Sequence, residues 1–452
     1  MTTGERRSGR GGWRRRYAGW LVAAAVALAP GSSPAQVAAP VGPLQDSRWL
    51  PPGSDIAAAL SELPARQLSS ELAGGRASAQ VRLGELAFRA PSIFAGLARE
   101  TGLSCQTCHA NGHLSAQFFV PGLSDRPGSF DPTNALFNAW TDDGLFRPLD
   151  IPSLRGIALT APYARDGRFA SLRRFTRHVI VNEFAGPEPP PWLLDALVAY
   201  QRELPFPPAP LLQPGGRLSA AGPAAARRGE RLFRTQRGSN EAPACASCHP
   251  PSANFTDGGR YDVGTGGSFT PPSLRGLAAS APYLHDGRLA SLEAVVERYD
   301  GWFALGLTAG ERADLAAYLR AIGAAALVPE AVSLAGDLDR LDRSLPVLAD
   351  AIAGEHLARA RFVVRALRHE LGLMHSRFPD EEGFAPGRDR LVAWSRRLQQ
   401  AGRLAEQGMF EAARLVVQEL ATTLSVERQT LEALEADSFY DPARLAAASS
   451  SE

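Results

Sequence analysis

Cys105-Gln106-Thr107-Cys108-His109 is written a second time as Cys245-Ala246-Ser247-Cys248-His249. C-x-x-C-H reads as a c-type heme attachment site. Two thiols three residues apart reach the two vinyl groups of one porphyrin and form thioethers, and the adjacent histidine supplies the proximal iron ligand. The two copies use all four cysteines of the chain. The competing readings are a C-x-x-C redox pair and half of a zinc site. A redox motif needs no following histidine, and zinc needs further ligands at matching spacing. The pattern therefore predicts two covalently attached heme c groups, one held by Cys105, Cys108 and His109, the other by Cys245, Cys248 and His249.

Around these motifs lie 452 residues, enough for roughly three domains at about 150 residues each. The hydrophobic content of 45% supports ordinary cores. Every basic residue is Arg. Arg6, Arg7, Arg10 and Arg14-Arg15-Arg16 precede a short apolar run at 21–29, and Ser33-Pro34-Ala35 forms a cleavage site before Gln36. Residues 1–35 thus read as an export signal. The alternative is an uncleaved anchor, but the run falls short of the about 20 apolar residues that a spanning helix needs. Cleavage would remove six Arg and one Glu, turning the formal charge from +1 to about −4. That charge, without a basic stripe interleaved with aromatics, speaks against nucleic acid. Heme c is attached outside the bacterial cytoplasm, so the predicted location is the periplasm, with no membrane span after cleavage.

Residues 36–80 are rich in Pro, Ala and Ser and read as a strap or linker, with one helical pattern near 56–63. A helix is expected over 81–88. A second repeat follows each heme motif. Residues 152–172 and 272–292 share fifteen of 21 positions, beginning Pro-Ser-Leu-Arg-Gly and continuing through Ala-Pro-Tyr, Asp-Gly-Arg and Ala-Ser-Leu. The heme motifs are 140 residues apart and these segments 120. The first half therefore carries 20 extra residues within 114–146, expected as loop draped over the first heme. Two homologous cytochrome domains are predicted at 81–215 and 216–328, joined by a linker marked by Pro205, Pro207, Pro208, Pro210 and Pro214. In the second, 224–233, 292–299 and 309–322 read as helices, with Thr308 as N-cap. From 329 to 452 the apolar residues recur every three to four positions, as at Leu357, Ala360, Val364, Leu367 and Leu371. This predicts an antiparallel bundle of about four helices, broken near Pro379. The fold class is mainly α: two c-type cytochrome domains followed by a helical bundle.

Taken together, the C-x-x-C-H pair, Pro-Ser-Leu-Arg-Gly and Ala-Pro-Tyr-x-x-Asp-Gly-Arg-x-Ala-Ser-Leu resemble the bacterial di-heme cytochrome c peroxidase and MauG superfamily. The resemblance covers about 81–328 and leaves the tail unassigned. It implies that the first heme reacts with hydrogen peroxide and that the second is six-coordinate and passes electrons. The donor would be a small protein, a cytochrome c or cupredoxin. In MauG-like members the high-valent heme instead oxidises a protein substrate. Family members often hold a calcium ion between the heme domains, with no ligands assignable here.

The resemblance also directs attention to the far side of each heme. Family peroxidases use Met as sixth ligand of the second heme and MauG uses Tyr. Met1, Met374 and Met409 all lie outside the heme domains, and Tyr299 stands at the matching position, 14 residues after His285. Tyr299 is therefore the candidate ligand, its competing role being a tyrosine packed at the heme edge. His285 reads more readily as hydrogen-bonded at the heme or its turn. The residue 120 positions before Tyr299 is Val179, which cannot bind iron, so the first heme keeps an open face. His178 is a further candidate ligand or distal base. Family peroxidases place a Glu in the following loop. Glu183 is the candidate acid–base residue, ahead of Glu188. Arg155 and Arg275, with Arg168 and Arg288, suit heme propionates or backbone carbonyls. Asp166 and Asp286 suit tight turns. One departure stands out: where the family has a Trp between the hemes, this chain has Arg165. Trp140 and Tyr163 are the candidate substitutes. The resulting reading is an exported di-heme peroxidase-type oxidoreductase whose tail docks a partner or a second copy of the chain. The alternatives are a non-catalytic electron-transfer cytochrome, or a scaffold or sensor whose function lies in the bundle.

Overall fold

Ser78 starts the first long helix. Its hydroxyl accepts from the backbone N–H of Val81 at 3.2 Å, satisfying one of the donors that a helix N-terminus leaves free. The helix spans Ala79–Arg89 and buries Val81, Leu83, Leu86 and Phe88. It crosses a second helix, Pro191–Arg202. The crossing point is Gly84, where a Cβ would overlap the carbonyl oxygen of Ala196. Glycine is needed there for close backbone approach. The computed structural model describes residues 44–450 apart from 62, 238–242 and 324–328, so the expected export signal lies outside the described residues.

The second half repeats this crossing. Helix Ala224–Arg234 lies on Ala309–Gly323, and a Cβ at Gly229 would overlap the carbonyl oxygen of Asp314. Thr308 caps the second of these helices, accepting from the N–H of Glu311 at 3.2 Å while the Glu311 carboxylate accepts from Thr308 N at 2.9 Å. Even the aromatic pair at the crossing recurs: Phe88 meets Tyr200 at 5.1 Å and Phe233 meets Tyr318 at 5.1 Å. Gly229→Val is expected to lower stability by about 1–3 kcal/mol through overpacking, read by thermal denaturation. A variant as stable as wild type would show that the two helices can separate freely.

The segments 152–172 and 272–292 fold alike. Each has a left-handed glycine, Gly156 or Gly276, before a short 3-10 turn, and a small bridge, Tyr163 to Phe169 or Tyr283 to Leu289. Asp166 and Asp286 fix the turns by accepting from the N–H groups of Arg168 and Arg288. Strand content is confined to two-residue pairs.

The described part of the strap is packed rather than free. Phe119 N donates to Trp49 O, Ser69 N donates to Glu203 O, and Pro64 bridges to Pro329. In the tail, helices Leu334–Ala353, Leu357–Ser376, Ala385–Glu406 and Phe410–Glu432 pack each on the next, and the fourth returns to the first. Their core holds Leu338, Leu345, Leu367, Trp394, Leu398 and Leu420. Leu83 and Leu86 of the first helix, with Ala90 just after it, join the same core. The bundle is thus seated on the first half. At that contact Glu370 accepts from Arg89 at 3.0 Å and from Arg340 at 3.3 Å, and Arg66 pairs with Glu85 and Glu71.

Candidate functional site

Each C-x-x-C forms a single helical turn, Cys105–Cys108 and Cys245–Cys248, so both thiols share one face. The first turn is held by a capping box in which Thr107 Oγ1 accepts from Ser104 N at 3.0 Å. The histidine closes each turn, with His109 N donating to Cys105 O and His249 N to Cys245 O, both at 2.9 Å. Burial pushes the thiols up, Cys105 to about 12 and Cys245 to about 11, with Cys108 and Cys248 also raised. A redox-active pair would show a depressed thiol instead.

The imidazoles are prepared as neutral ligands. Burial lowers His109 to about 4 against the opposing pull of the Pro152 carbonyl. Burial also lowers His249, whose Nδ1 donates to Phe255 O at 2.9 Å, with the Pro272 carbonyl close by. That bond leaves His249 Nε2 with its lone pair available for a metal. Pro152 and Pro272 are the first residues of the repeated segments. The Phe255 carbonyl backs His249, whereas His109 Nδ1 is buried without a hydrogen-bond partner among the described residues.

The arginines test whether a heme suits these sites. Arg155 is buried and donates from Nη1 to Gln67 O at 3.0 Å and Asn111 O at 3.3 Å, but its Nε has no partner. Arg275 lies over the Phe206 ring at 4.4 Å, and its Nε is likewise buried without a partner. Burial lowers Arg155 to about 10 and lowers Arg275 too. Among the described residues no carboxylate pairs with either. A buried cation without a counter-ion is costly. Two repeat-related guanidinium groups with unpartnered Nε atoms, that of Arg155 beside the residues that follow His109, fit a propionate-bearing heme. Arg168 and Arg288 differ, because Asp166 and Asp286 already pair with them.

Beyond the first motif, helix Leu172–His178 runs into a π-helical turn, Val179–Glu183. Such turns re-aim side chains and recur at functional sites. Glu183 lies close enough to Cys108 to raise its thiol. Its side chain is 23% exposed, and burial pushes its carboxyl up to about 7 against the pull of Arg168. His178 Nε2 stands 3.9 Å from Glu183 and 3.4 Å from Arg168 Nη2. Glu188, in contrast, is on the surface and accepts from Arg177 Nε at 2.7 Å. The insertion covers the π-helical turn: Asn138 donates to Asn182 O, and Phe137 meets Phe184 at 5.6 Å.

In the second half, Tyr299 lies on helix Leu292–Phe303, stacked on Phe303 at 6.0 Å. Its hydroxyl is raised by burial and by the nearby Cys245 and Cys248. His285 is occupied elsewhere, stacked on Phe269 at 4.1 Å, with its carbonyl accepting from Asp150 N at 3.0 Å. Trp140 is 95% exposed, so it cannot be a buried bridge, and Tyr163 stacks on Phe175 at 6.3 Å. Sequence reasoning also missed Tyr261, which donates to Asp257 and touches Cys248.

Several known proteins are similar to this chain. A family model described as di-haem cytochrome c peroxidase matches residues 223–299. The methylamine utilization protein MauG of Methylorubrum extorquens is 31% identical over 256 residues, covering 49% of this chain and 68% of its own. Among solved structures, hydrazine synthase of Kuenenia stuttgartiensis, pressurised with xenon, is 22% identical with a TM-score of 0.41, covering 54% of this chain and 88% of that one. A MauG-like protein associated with microbial copper homeostasis is 18% identical with a TM-score of 0.36, covering 57% of this chain and 93% of that one. With its two C-x-x-C-H turns, this chain belongs to the di-haem cytochrome c peroxidase and MauG family.

Proposed function

We propose that this chain is an exported, periplasmic di-heme c-type oxidoreductase that reacts with hydrogen peroxide at the first motif. The observation that carries the reading is the inequality of the two motif surroundings. Glu183, a largely buried carboxylic acid on the turn that begins at Val179, lies near Cys108, whereas a phenol, Tyr299, lies near Cys245 and Cys248. Cys105, Cys108 and His109 would hold one heme, and Cys245, Cys248 and His249 the other. Arg155 and Arg275 take propionates. When bound, the hemes supply the electron-transfer chemistry.

The protein's own work at the first site is proton transfer. A Glu183 carboxylate oxygen takes the proton from one peroxide oxygen and returns it to the departing one. Its raised pKa suits both halves of that task near neutral pH. Asn138 steadies the turn that carries it. Tyr299 would ligate the second heme, where an anionic oxygen donor would favour oxidised iron. That choice, with Trp140, Leu145 and Phe146 exposed on the insertion above the first site, favours MauG-like oxidation of a partner protein over simple relay from a small cytochrome c or cupredoxin.

Electron paramagnetic resonance of the purified two-heme protein tests the asymmetry. One high-spin and one low-spin center are expected, with the high-spin signal lost on adding hydrogen peroxide. Two low-spin centers, unreactive to peroxide, would leave an electron-transfer cytochrome. Tyr299→Phe is expected to convert the low-spin center to high spin. An unchanged low-spin signal in that variant would assign the ligand elsewhere.

A further inference from the structure

The second motif has a phenol at its outer edge. A hairpin of Tyr261–Asp262 and Ser268–Phe269 follows the Cys245–Cys248 turn, with Tyr261 opposite Phe269. Asp257 leads into it. Its N–H donates to Cys248 O at 3.2 Å, and its carboxylate accepts from the Tyr261 hydroxyl and, at 2.9 Å, from Gly259 N. The intervening loop is packed on the ring, since a Cβ at Gly259 would come within 2.7 Å of the Tyr261 hydroxyl oxygen. Two consecutive hydrogen bonds, Tyr261 to Asp257 and Asp257 to Cys248, thus hold the hydroxyl beside the turn, and it also makes side-chain hydrogen-bonding contact with Cys248 itself. Yet Tyr261 is 38% exposed. One side chain therefore reaches from the motif to solvent.

Its pairing suits electron transfer. A phenol becomes strongly acidic when it loses an electron, so a carboxylate that already accepts its proton in a charge-assisted bond lowers the cost of the oxidation. The sulfur of Cys248 is the atom that would be bonded to the porphyrin, so a group touching it is joined to the ring through few bonds. Other aromatic residues are placed differently. Tyr440 also donates to a carboxylate, Asp337, but does so in the core of the tail. Trp302 is 46% exposed and packed on the hairpin loop at Gly264, with the Arg298 guanidinium 5.1 Å from its ring centre. A cation over an indole opposes the positive charge that oxidation would place there.

We infer that Tyr261 is the residue through which the second site draws electrons from outside the protein, giving one electron to that site and its hydroxyl proton to Asp257. The O–H bond of Tyr261 breaks, an O–H bond forms on the Asp257 carboxylate, and the oxidised second site gains the electron, leaving a neutral tyrosyl radical. An external donor then returns one electron to Tyr261, and Asp257 returns the proton. Two such turnovers supply the two electrons that, with two protons from solvent, reduce one hydrogen peroxide to two waters. The inference rests on the reading that both motifs hold hemes and that hydrogen peroxide oxidises them.

Freeze-quench electron paramagnetic resonance of the full chain after adding hydrogen peroxide, with hemes counted by pyridine hemochrome, tests it. A tyrosyl radical signal is expected in wild type, lost in Tyr261→Phe and in Asp257→Asn, and kept in Trp302→Phe. Reduction of the peroxide-oxidised chain by ascorbate, followed by heme absorption, is expected to slow in Tyr261→Phe and Asp257→Asn and to keep its wild-type rate in Trp302→Phe. No tyrosyl signal in a peroxide-reactive wild type, a signal that survives in Tyr261→Phe, or an unchanged ascorbate rate in that variant would overturn the inference. Should Tyr261→Phe fail to take up two hemes, an Asp257→Asn chain with the wild-type signal and rate would do the same. A wild-type chain with fewer than two hemes, or with heme absorption that does not respond to peroxide, would overturn the functional reading and the inference with it.

Discussion

Glu183→Gln is expected to slow the reaction with hydrogen peroxide by about 10²–10⁴-fold, the range for removing a positioned acid–base group. The amide keeps the shape of the side chain and can hold no exchangeable charge. Heme content and the spectra of both centers should therefore stay at wild-type values while the stopped-flow rate falls. The pH dependence follows from the raised carboxyl. Burial moves it from 4.5 to about 7, so the basic form accumulates only as pH rises through 7. The wild-type rate should rise with pH around that midpoint, and the Gln variant should lose that limb. The stability contribution runs the opposite way. A carboxyl raised in the folded state favours folding most below its unfolded value and progressively less as pH climbs to 7. A Gln variant that reacts at the wild-type rate would remove Glu183 from the chemistry.

Glu370→Ala is expected to cost about 3–5 kcal/mol, because it leaves Arg89 without its carboxylate and Arg340 with Asp337 alone at a covered interface. Burial alone would raise Glu370, but Arg89 and Arg340 overcome it and hold the carboxyl at about 2. The sign follows directly. This pairing stabilises the fold above about 4.5 and is lost as pH falls toward 2. Chemical denaturation at neutral pH and at pH 3 should show a large wild-type difference that shrinks in the variant. Equal stability of the two proteins at neutral pH would mean that the bundle is held by its apolar core alone. The location matters to function. Glu370 ties the tail to helix Ala79–Arg89, whose partner helix Pro191–Arg202 ends just before the inter-half linker. The tail thus braces the first half, and that part of its surface is already covered. Any partner must use another face.

The chemistry-bearing turns were legible because their geometry is local. In C-x-x-C-H the thiols are one helical turn apart and the histidine follows, so spacing alone sets their relation. The helices around Gly84 and Gly229 and the stripes of the tail were legible for the same reason: periodicity is a property of the chain before it folds. The repeat also exposed the unequal pair, Tyr299 and Val179.

What spacing does not encode is which distant group ends up facing which. Sequence reasoning ranked Glu183 above Glu188 by its neighbours. Their contrast in burial arises because a π-helical turn and the Phe137–Phe184 contact sink one, while Arg177 holds the other on the surface. Trp140 looked like a bridge by residue type and is solvent-exposed, since the Asn138 side-chain amide ties the insertion to the Asn182 carbonyl and leaves the Trp140 indole outward. The seating of the bundle on the first helix, the bond from Thr270 N to Arg165 O and that from Asp150 N to His285 O all join residues far apart in the chain. Local propensity carries no information about such pairings. They are settled when apolar faces are buried together and each buried polar group must find a partner within about 3 Å.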